Sequence, residues 1–550
     1  MARVVFVTSG LEHLGVAALS AYARAHGHDA RLVYEPKPFS SDSGPDSPLL
    51  AQWLEPTPAQ TAERVLAESP DVVAFSSYTI THAWSVTVAR EIKARRKVPI
   101  VFGGPHVNGA PEHSIRERAI DAVVEGEGEG ALVDLLECAE KGRFSRTTVP
   151  NVWFANGGTP IKNPVRPLIE DLDSLPWADK SGFYSEVPAF EREFYVVSRR
   201  GCPFRCSFCE YSIFPKQYPG EKPVRRRSVS HLIAELEAWK RRGRIRKIFF
   251  WDAIFTLDIK WMEEFADAYR ERIGLPFECY THPQAMTRQM AQELARAGCS
   301  MVRVGVQSVN ADTLAAMERK GDRKRVERTI GHLRDHGIPY ALDHIAGLPG
   351  EGPEDQKNAV RFYNAVRPAQ IYMHWMTYLP GTTALERASQ EGLLSEEQVE
   401  RILRGEETHG YEAPRLIGAG PAKDALDEIS HLVMLFRLMP LLPQATIDWL
   451  LESGTYRWLP DTTTVSRAVE LLVALRGNAA LRERVYAILI GAAHSALQTL
   501  TGRVRKVSAP PAAGAWPEAP HPVHANANPT PERRRSQLVV LASTGQSEGR

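Results

Sequence analysis

Short apolar runs alternate with helical patterns through the first part of the chain. The apolar runs lie at residues 4–8, 30–34, 72–76, 100–103 and 122–125. Between them, apolar positions recur at helical spacing, for example over 16–26 and 81–96. Strands that alternate with helices of this length predict an α/β fold, a doubly wound Rossmann-like parallel sheet, over an N-terminal domain of residues 1–140.

Glycine and small polar residues cluster directly after these predicted strands. Ligands of an open parallel sheet bind outside the carboxyl ends of the strands, so these residues are candidates for a binding site. The candidates are Ser76, Ser77, Tyr78, Thr79, Gly103, Gly104, Pro105, His106, Glu125, Gly126 and Glu127.

The pattern changes after residue 140. Residues 141–190 are rich in proline and polar side chains and predict a linker with a small hairpin around 152–154. From about 193 the alternation resumes, with strands predicted at 194–198, 247–251, 277–281, 301–306, 340–346 and 370–378 and helices at 229–241 and 260–272. These units, in residues 191–385, predict a partial (β/α)6 barrel of TIM type, whose working face is the carboxyl-terminal rim.

Helical patterns dominate residues 386–507, where we expect a helical C-terminal domain. Its most apolar stretch, 428–451, is interrupted by Pro440 and Pro443, which favours a packed pair of helices over a membrane-surface helix. Residues 508–550 are rich in proline, alanine and charge and predict a disordered tail.

The composition points to no charged partner and no membrane span. The 550 residues are 43% hydrophobic and 24% charged, and 67 basic against 66 acidic residues leave a net charge of +1. This balance gives no electrostatic reason to expect nucleic acid as a partner. The sequence lacks a signal-peptide pattern and any uncharged apolar run of about 18 residues. We therefore expect a cytoplasmic protein without a transmembrane segment, for which peripheral membrane contact stays open.

Three of the six cysteines fall within eight positions, at Cys202, Cys206 and Cys209. They follow the predicted strand that ends near Ser198, which places their loop on the barrel rim. Closely spaced thiolates on one loop can hold three corners of a [4Fe–4S] cluster. The fourth iron is then open to a chelating substrate, here the amino and carboxylate groups of S-adenosylmethionine (SAM).

Two other kinds of site also use clustered cysteines. A structural zinc ion usually takes four ligands in two closely spaced pairs. A fully ligated electron-transfer cluster needs a fourth cysteine. Cys138, Cys279 and Cys299 form no second pair and look like ordinary buried thiols, so the open catalytic cluster is the favoured interpretation.

The C-x-x-x-C-x-x-C spacing, with Phe208 before the third cysteine, resembles the signature of the radical SAM superfamily. Segments that resemble its second, fourth, fifth and sixth strands follow in order, at 249–256, 303–308, 343–350 and 378–382. The resemblance implies that SAM is bound by Phe208, Asp252, Gln307, Ser308 and Gly347. Asp252 stands alone where paired acids are frequent, and Gln307 stands where glutamate is commoner. The amide of Gln307 can still hydrogen-bond a ribose hydroxyl.

The N-terminal half resembles the cobalamin-binding domain that precedes the barrel in one large subclass of this superfamily. The matching segments are 14–28, 70–76, 102–106, 121–129 and, in the linker, 172–176. Residues 12–15 lack the D-x-H-x-x-G spacing of a cobalt-ligating histidine, so we expect His13 to be a loop residue. The 76–79 loop, with Tyr78, is then expected at the lower face of cobalamin. The side chains of His82 and His106 are expected to be surface or loop groups without chemistry of their own.

These resemblances imply an enzyme with three cofactors: a [4Fe–4S] cluster, SAM and cobalamin. Cleavage of SAM at the cluster would yield a 5′-deoxyadenosyl radical that abstracts a hydrogen from an unactivated carbon, to which methylcobalamin delivers a methyl group. The expected function is a C-methyltransferase. The alternatives are a non-methylating radical cyclase or rearrangement enzyme of the protoporphyrin ester cyclase type and, in another class, a non-catalytic cobalamin or redox sensor.

Such an enzyme needs an external electron donor, such as flavodoxin or ferredoxin, and a small-molecule or peptide substrate. We expect the substrate contacts in the barrel interior and in the helical region after residue 385. Several ring side chains on or near the barrel strands either line that cavity or pack in the core: Trp251, Tyr280, His282, His344, His374 and Trp375.

Overall fold

The computed structural model describes residues 1–10, 12–37, 51, 55–144, 148–406, 423–460, 465–466, 468–469 and 472–473. The predicted tail at 508–550 and most of 461–507 lie outside the described residues. Across the described ranges, no helix is long and apolar enough to span a bilayer.

The N-terminal region is a parallel sheet with helices on both faces. Strands β1 to β5 are Arg3–Ser9, Asp29–Glu35, Val72–Ser76, Ile100–Gly103 and Ala122–Val124. Helices α1 to α6 are Leu14–Ala25, Pro58–Ala67, Thr79–Arg95, Pro105–Gly109, Pro111–Ser114 and Glu129–Glu140. The strand order β2-β1-β3-β4-β5, with every pair parallel, is the doubly wound sheet that the sequence predicts.

The hairpin predicted in the linker extends this sheet. Its strands β6 and β7, at Val152–Phe154 and Ile161–Lys162, add to β5 in antiparallel fashion. All three residues of β6 are buried, so pairing with β5 covers an apolar strand that a free linker would expose. The rest of the linker carries short helical turns at Leu172–Ser174 and Pro188–Arg192 and the helix α7 at Ser181–Glu186.

The second half is an open barrel of six parallel strands in sequence order. Its strands are β8 at Glu193–Val196, then β11 to β15 at Lys247–Phe250, Phe277–Thr281, Cys299–Gln307, Tyr340–Ala346 and Gln370–Trp375. The short strands β9 and β10, at Arg199–Arg200 and Arg225–Arg226, pair antiparallel and close the base of the cysteine loop. Helices α8 to α14 are Phe214–Gln217, Val229–Lys240, Ile259–Arg272, Arg288–Ala297, Ala311–Ala316, Arg323–Asp335 and Pro353–Val366.

The barrel core lies between the outer face of the strands and these helices. Phe250 on β11 packs against Phe265 of α10 and Phe277 of β12, with ring centroids 5.4 Å apart in both pairs. The helices begin at polar caps that their sequences supply: the side chains of Ser228 and Asp258 accept hydrogen bonds from the backbone amides of His231 and Trp261.

Four more helices follow the barrel, α15 to α18, at Thr383–Gln390, Glu396–Leu403, Lys423–Leu438 and Gln444–Glu452. The predicted helical pair is present as α17 and α18. They are separated by a turn that contains both prolines, and they pack on the barrel: Phe436 stacks on His344 of β14, and Asp448 accepts from Asn364 of α14 at 2.7 Å.

Candidate active site

The cysteine loop leaves the barrel at β9 and returns at β10. Cys206 is buried, and Cys202 and Cys209 are partly buried. Ser207, between the cysteines, is fully enclosed. Its amide donates to the Met317 carbonyl, and its carbonyl accepts from the Ala384 amide, both at 2.9 Å. These bonds tie the loop to the end of α12 and the start of α15.

The three thiols lie within eight positions of one loop. Burial raises the pKa of the Cys209 thiol, and the charges of Glu210, Cys206 and Cys202 raise it further. In the part of the chain that the structure describes, no three His, Cys, Asp or Glu side chains converge as they do around a single metal ion. A [4Fe–4S] cluster takes each thiolate on a different iron, so this arrangement of half-buried thiols fits a cluster.

Arg319, which the sequence does not single out, lies beside these thiols. Its Nη1 is 3.5 Å from Cys206 Sγ, and its Nη2 donates to the Gly305 carbonyl on β13. Its guanidinium therefore places a positive charge beside the Cys206 sulfur. Arg319 follows α12 in a loop without any motif, so only the fold brings it to the cysteines.

Two of the predicted SAM-binding positions lie together near the cysteine loop. Phe208 packs against a buried cluster that includes Leu348 and Tyr378. These residues belong to the turns after β14 and β15. Gly347 starts the first of these turns with a φ of +75°, which glycine adopts without strain. The fifth-strand and sixth-strand segments therefore meet the aromatic residue of the cysteine motif.

Gln307 and Ser308 lie at the end of β13. Gln307 has a φ of +70°, and the pairing register with β14 shifts between Gly305 and Gln307. A Cβ placed on Gly305 would lie 3.1 Å from the side-chain Nε2 of Gln307 and 3.2 Å from Arg319 Nη2. The Gln307 amide and the Arg319 guanidinium therefore share the space above Gly305, next to Cys206.

Asp252 is buried at the base of the cysteine loop. Its Oδ1 accepts from the backbone amides of Ser198 and Arg199 at 2.9 and 2.7 Å. Burial raises the pKa of this carboxyl to about 6, although Arg199 and these hydrogen bonds act to lower it. Asp252 thus holds the chain just before the cysteines, and its contact with SAM stays a prediction.

Aromatic side chains line the inner face of the barrel, the face turned away from α9 to α11. Trp251 lies 5.5 Å from both Tyr195 and Tyr280 and is 39% exposed. The buried Arg303 donates to the Tyr280 hydroxyl and to Asp343 Oδ1, both at 2.6 Å. This face therefore combines exposed aromatic surface with a buried ion pair.

Of the six ring residues considered from the sequence, three lie on this inner face: Trp251, Tyr280 and His374, whose Nε2 is 3.8 Å from Asp343 Oδ1. His344 and Trp375 lie on the outer face, against α17. His282 stacks on Phe204 of the cysteine loop, with ring centroids 4.0 Å apart.

The loops after β3 and β4 form the N-terminal part of the candidate site. Gly104 has a φ of +98°, and a Cβ there would lie 2.8 Å from the Ser77 amide nitrogen and 2.9 Å from Ser76 Oγ. Glycine therefore lets the two loops touch. Tyr78 is 43% exposed and stacks on His13, with ring centroids 4.8 Å apart. This open glycine-lined edge with an exposed ring fits a large ligand such as cobalamin.

His13 is a capping residue. Its Nδ1 accepts from the Val16 amide at the start of α1, and burial lowers its pKa to about 4. It lies in the loop before α1, as expected.

The expectation that His82 and His106 are surface or loop groups is wrong. Both are buried and stack with ring centroids 3.8 Å apart. Ser77 Oγ lies 3.1 Å from Nδ1 of His82, and His106 donates from Nε2 to the Leu403 carbonyl at 3.0 Å. Burial lowers the pKa of both imidazoles, that of His82 to about 3. The pair fills the space between the predicted ligand loops and α16. These segments lie far apart in the sequence.

The two halves of the molecule meet at these loops. The Tyr218 hydroxyl, just beyond the cysteine loop, accepts from the Glu127 amide at 2.8 Å. Gly126 has a φ of +89°, and a Cβ there would overlap this hydroxyl. Gln217 donates to the Asn108 carbonyl at 2.9 Å. The carboxyl-end edge of the N-terminal sheet thus lies against the barrel rim beside the cysteines.

The predicted ligand residues Glu125 and Glu127 also serve this junction. Glu125 accepts from the Trp153 indole at 2.8 Å, which ties β6 to the loop after β5. Glu127 accepts from Arg200 and Arg225 at 2.9 Å. These arginines belong to β9 and β10, so Glu127 links the loop after β5 to the base of the cysteine loop.

Comparison with known proteins identifies a domain in each half of the chain. The family model of the radical SAM superfamily matches residues 196–363, and that of the B12 binding domain matches residues 3–136. The chain therefore carries a B12-binding domain followed by a radical SAM domain. These domains imply a [4Fe–4S] cluster, SAM and cobalamin, which confirms the predicted cofactors.

Individual relatives are distant. An uncharacterized methyltransferase of Pyrococcus horikoshii is 28% identical over 336 residues, 59% of this chain and 71% of that protein. The anaerobic magnesium-protoporphyrin IX monomethyl ester cyclase of Rubrivivax gelatinosus is 25% identical over 338 residues, 58% of each chain. This chain therefore spans under two thirds of the cyclase.

Among solved structures, the radical S-adenosylmethionine methyltransferase TsrM from Kitasatospora setae, with cobalamin and a [4Fe–4S] cluster bound, matches with a TM-score of 0.63. The match covers 90% of this chain and all (100%) of that one at 16% identity. It shows a shared fold and confirms the predicted fold class.

Proposed function

We propose that the protein is a cobalamin-dependent radical SAM methyltransferase that methylates an unactivated carbon. The observation that carries this proposal is the junction of Tyr218 with Gly126 and Glu127. It brings the ligand loops of the B12-binding domain to the barrel rim beside the cysteines. A methyl carrier and a radical source can then serve one substrate. Relatives named as methyltransferases support the same function.

Each part of the chain has a distinct role in this proposal. Cys202, Cys206 and Cys209 hold the cluster, and Arg319 stabilises its thiolate ligands. The end of β13 and the turn at Gly347 hold SAM. The loops after β3, β4 and β5 hold cobalamin, and the aromatic inner face of the barrel excludes water from the substrate. When bound, these cofactors supply one-electron cleavage of SAM and a transferable methyl group. The electron comes from an external donor, such as flavodoxin or ferredoxin, in the cytoplasm.

The test uses protein reconstituted anaerobically with iron, sulfide and cobalamin, then given SAM and dithionite. We expect 5′-deoxyadenosine from SAM cleavage, together with S-adenosylhomocysteine and methylcobalamin from methyl transfer to reduced cobalamin. Replacement of all three cluster cysteines by alanine should abolish 5′-deoxyadenosine while leaving the visible spectrum of bound cobalamin. Cys138→Ala is the matched control, because Cys138 lies on α6, away from the cysteine loop. Cleavage retained by the triple variant would refute the cluster assignment.

The second candidate is a radical cyclase or rearrangement enzyme, which the similarity to the Rubrivivax gelatinosus cyclase favours. It predicts 5′-deoxyadenosine without S-adenosylhomocysteine. A sensor predicts neither product. The presence or absence of 5′-deoxyadenosine and of S-adenosylhomocysteine therefore separates the three functions before a substrate is known.

A further inference from the structure

A buried group lies directly behind the strained end of β13. Gln307 holds a positive φ, and Ser308, which follows it, is 1% exposed. The hydroxyl of Ser308 accepts from the Asn310 amide at 3.0 Å and donates to Glu351. Glu351 is 3% exposed and follows the turn after β14. A left-handed residue with a side chain is strained and persists where its surroundings hold it.

Glu351 is the end point of a chain of hydrogen bonds. The Tyr363 hydroxyl donates to Nδ1 of His344 at 2.8 Å. His344 donates from Nε2 to Gln356 Oε1 at 3.0 Å, and Gln356 Nε2 donates to Glu351 Oε2 at 2.8 Å. Burial lowers the pKa of His344 to about 4, so the imidazole is neutral and carries the single N–H that the chain requires.

Both carboxylate oxygens of Glu351 are therefore acceptors. Oε1 accepts from Ser308 and Oε2 from Gln356, which is the pattern of an ionised carboxylate. A proton on Oε2 would place a donor against the Gln356 amide. A proton on Oε1 would turn the Ser308 hydroxyl into the acceptor of a bond between neutral groups, which is weaker than a bond to a carboxylate. Protonation therefore weakens the support that Glu351 gives to the β13 turn through Ser308.

The surroundings of Glu351 bring this proton within physiological pH. Burial raises its pKa to about 7, and the charge of Asp355 at the start of α14 adds to the shift. Asp355 is itself held by the Asn310 side chain at 2.8 Å. The other titratable groups that face Glu351 are His344 and Tyr363, both reached through Gln356. Neither carries a positive charge near neutral pH, since burial keeps His344 neutral.

We propose that Glu351 is a positioning residue for SAM, whose carboxylate acts through Ser308 to hold Gln307 in the conformation that binds SAM. This rests on the proposed role of Gln307 in the radical SAM site. Loss of the carboxylate charge weakens the bond to Ser308, lets the turn relax and lowers the affinity for SAM, without removing any group that touches SAM.

The test measures the dissociation constant of SAM by equilibrium dialysis against the reconstituted, cobalamin-loaded protein between pH 6 and 8.5. For the wild type, we expect affinity to fall as the pH falls through 7, by up to about tenfold per pH unit for a single proton. Glu351→Gln should bind SAM as weakly as the wild type does at low pH, with a flat profile. Ser308→Ala should give the same flat profile while retaining the carboxylate. Glu354→Gln removes an exposed acid three residues further along, in the first turn of α14, and should match the wild type.

Iron content and the cobalamin spectrum establish that each variant is folded and loaded. A flat wild-type profile, or a Glu351→Gln protein with wild-type affinity and pH dependence, would overturn the proposal. If Glu351→Gln does not fold, the wild-type pH profile and the Ser308→Ala variant still test whether Glu351 supports Gln307 through Ser308. A wild-type protein that binds no SAM at any pH would instead defeat the proposed function, and this inference with it.

Discussion

At Gly126, the addition of a single methyl group should weaken the contact between the two halves of the molecule. Gly126→Ala adds a Cβ that overlaps the Tyr218 hydroxyl, which must then release the Glu127 amide. Tyr218 is 6% exposed, so it has little room to move without disturbing its neighbours. We expect weaker docking of the B12-binding domain on the barrel rim.

The size of the effect follows from two contributions. A side chain at a left-handed φ costs about 1–2 kcal/mol. Overpacking of a buried contact and loss of its hydrogen bond add about 1–3 kcal/mol. Gly27 has a similar φ of +80° with nothing within 4 Å of its Cβ position. Gly27→Ala therefore carries the first contribution alone and is the matched control.

The assay is urea unfolding of the two variants, followed by cobalamin binding by equilibrium dialysis. Because two domains need not unfold in one step, midpoints of each transition are compared. We expect Gly126→Ala to lose about twice the stability of Gly27→Ala, and to bind cobalamin more weakly. In a Tyr218→Ala background, Gly126→Ala should cost no more than Gly27→Ala does, since the clash is then absent. Equal losses in the two glycine variants, or an undiminished cost of Gly126→Ala in the Tyr218→Ala background, would refute the reasoning.

Three further changes test other parts of the molecule. Gly104→Ala should push the β4 loop off Ser77 and lower cobalamin affinity more than the same open-glycine control, and unchanged affinity would count against the loop assignment. Arg319→Met removes the positive charge beside Cys206 and should make the cluster potential about 50–100 mV more negative in a redox titration, whereas a lysine there should restore most of the shift. Glu428 has its pKa lowered to about 2 by tyrosine, lysine and arginine partners against the opposing effect of burial. The ionised Glu428 therefore stabilises the fold at pH values above 4.5, the pKa of the unfolded carboxyl, and this stabilisation is lost as the pH falls towards 2. Glu428→Gln should then make the melting temperature less dependent on pH in this acid range.

The strands were predictable because each carries its signal locally. The segments at 72–76, 277–281 and 340–346 are rich in apolar and aromatic residues, and their predicted bounds coincide with β3, β12 and β14. Parallel strands are buried on both faces, so most of their positions are apolar, and this makes them visible in one sequence. The cysteine loop was predictable for a similar reason, since its ligands lie within eight positions.

Other features depend on contacts between distant segments. The sequence around His82 and His106 does not show that they are buried, since Leu403 of α16 reaches His106 from 297 positions away. Arg319 reaches Cys206 across 113 positions. The hairpin at 152–154 reads as a free linker because nothing local shows that β5 is its partner. Spacing along the chain carries no information about such contacts.

The junction between the two domains also bears on how substrate is exchanged. Hydrogen bonds of Tyr218 with Glu127, Gln217 with Asn108 and His106 with Leu403 join the B12-binding domain to the rest of the chain at two places, since Tyr218 and Gln217 are neighbours. A hinge motion that opened this face would break all three at once, at a free-energy cost that grows with each buried bond. Substrate is therefore expected to enter and leave by a route that keeps the domains closed.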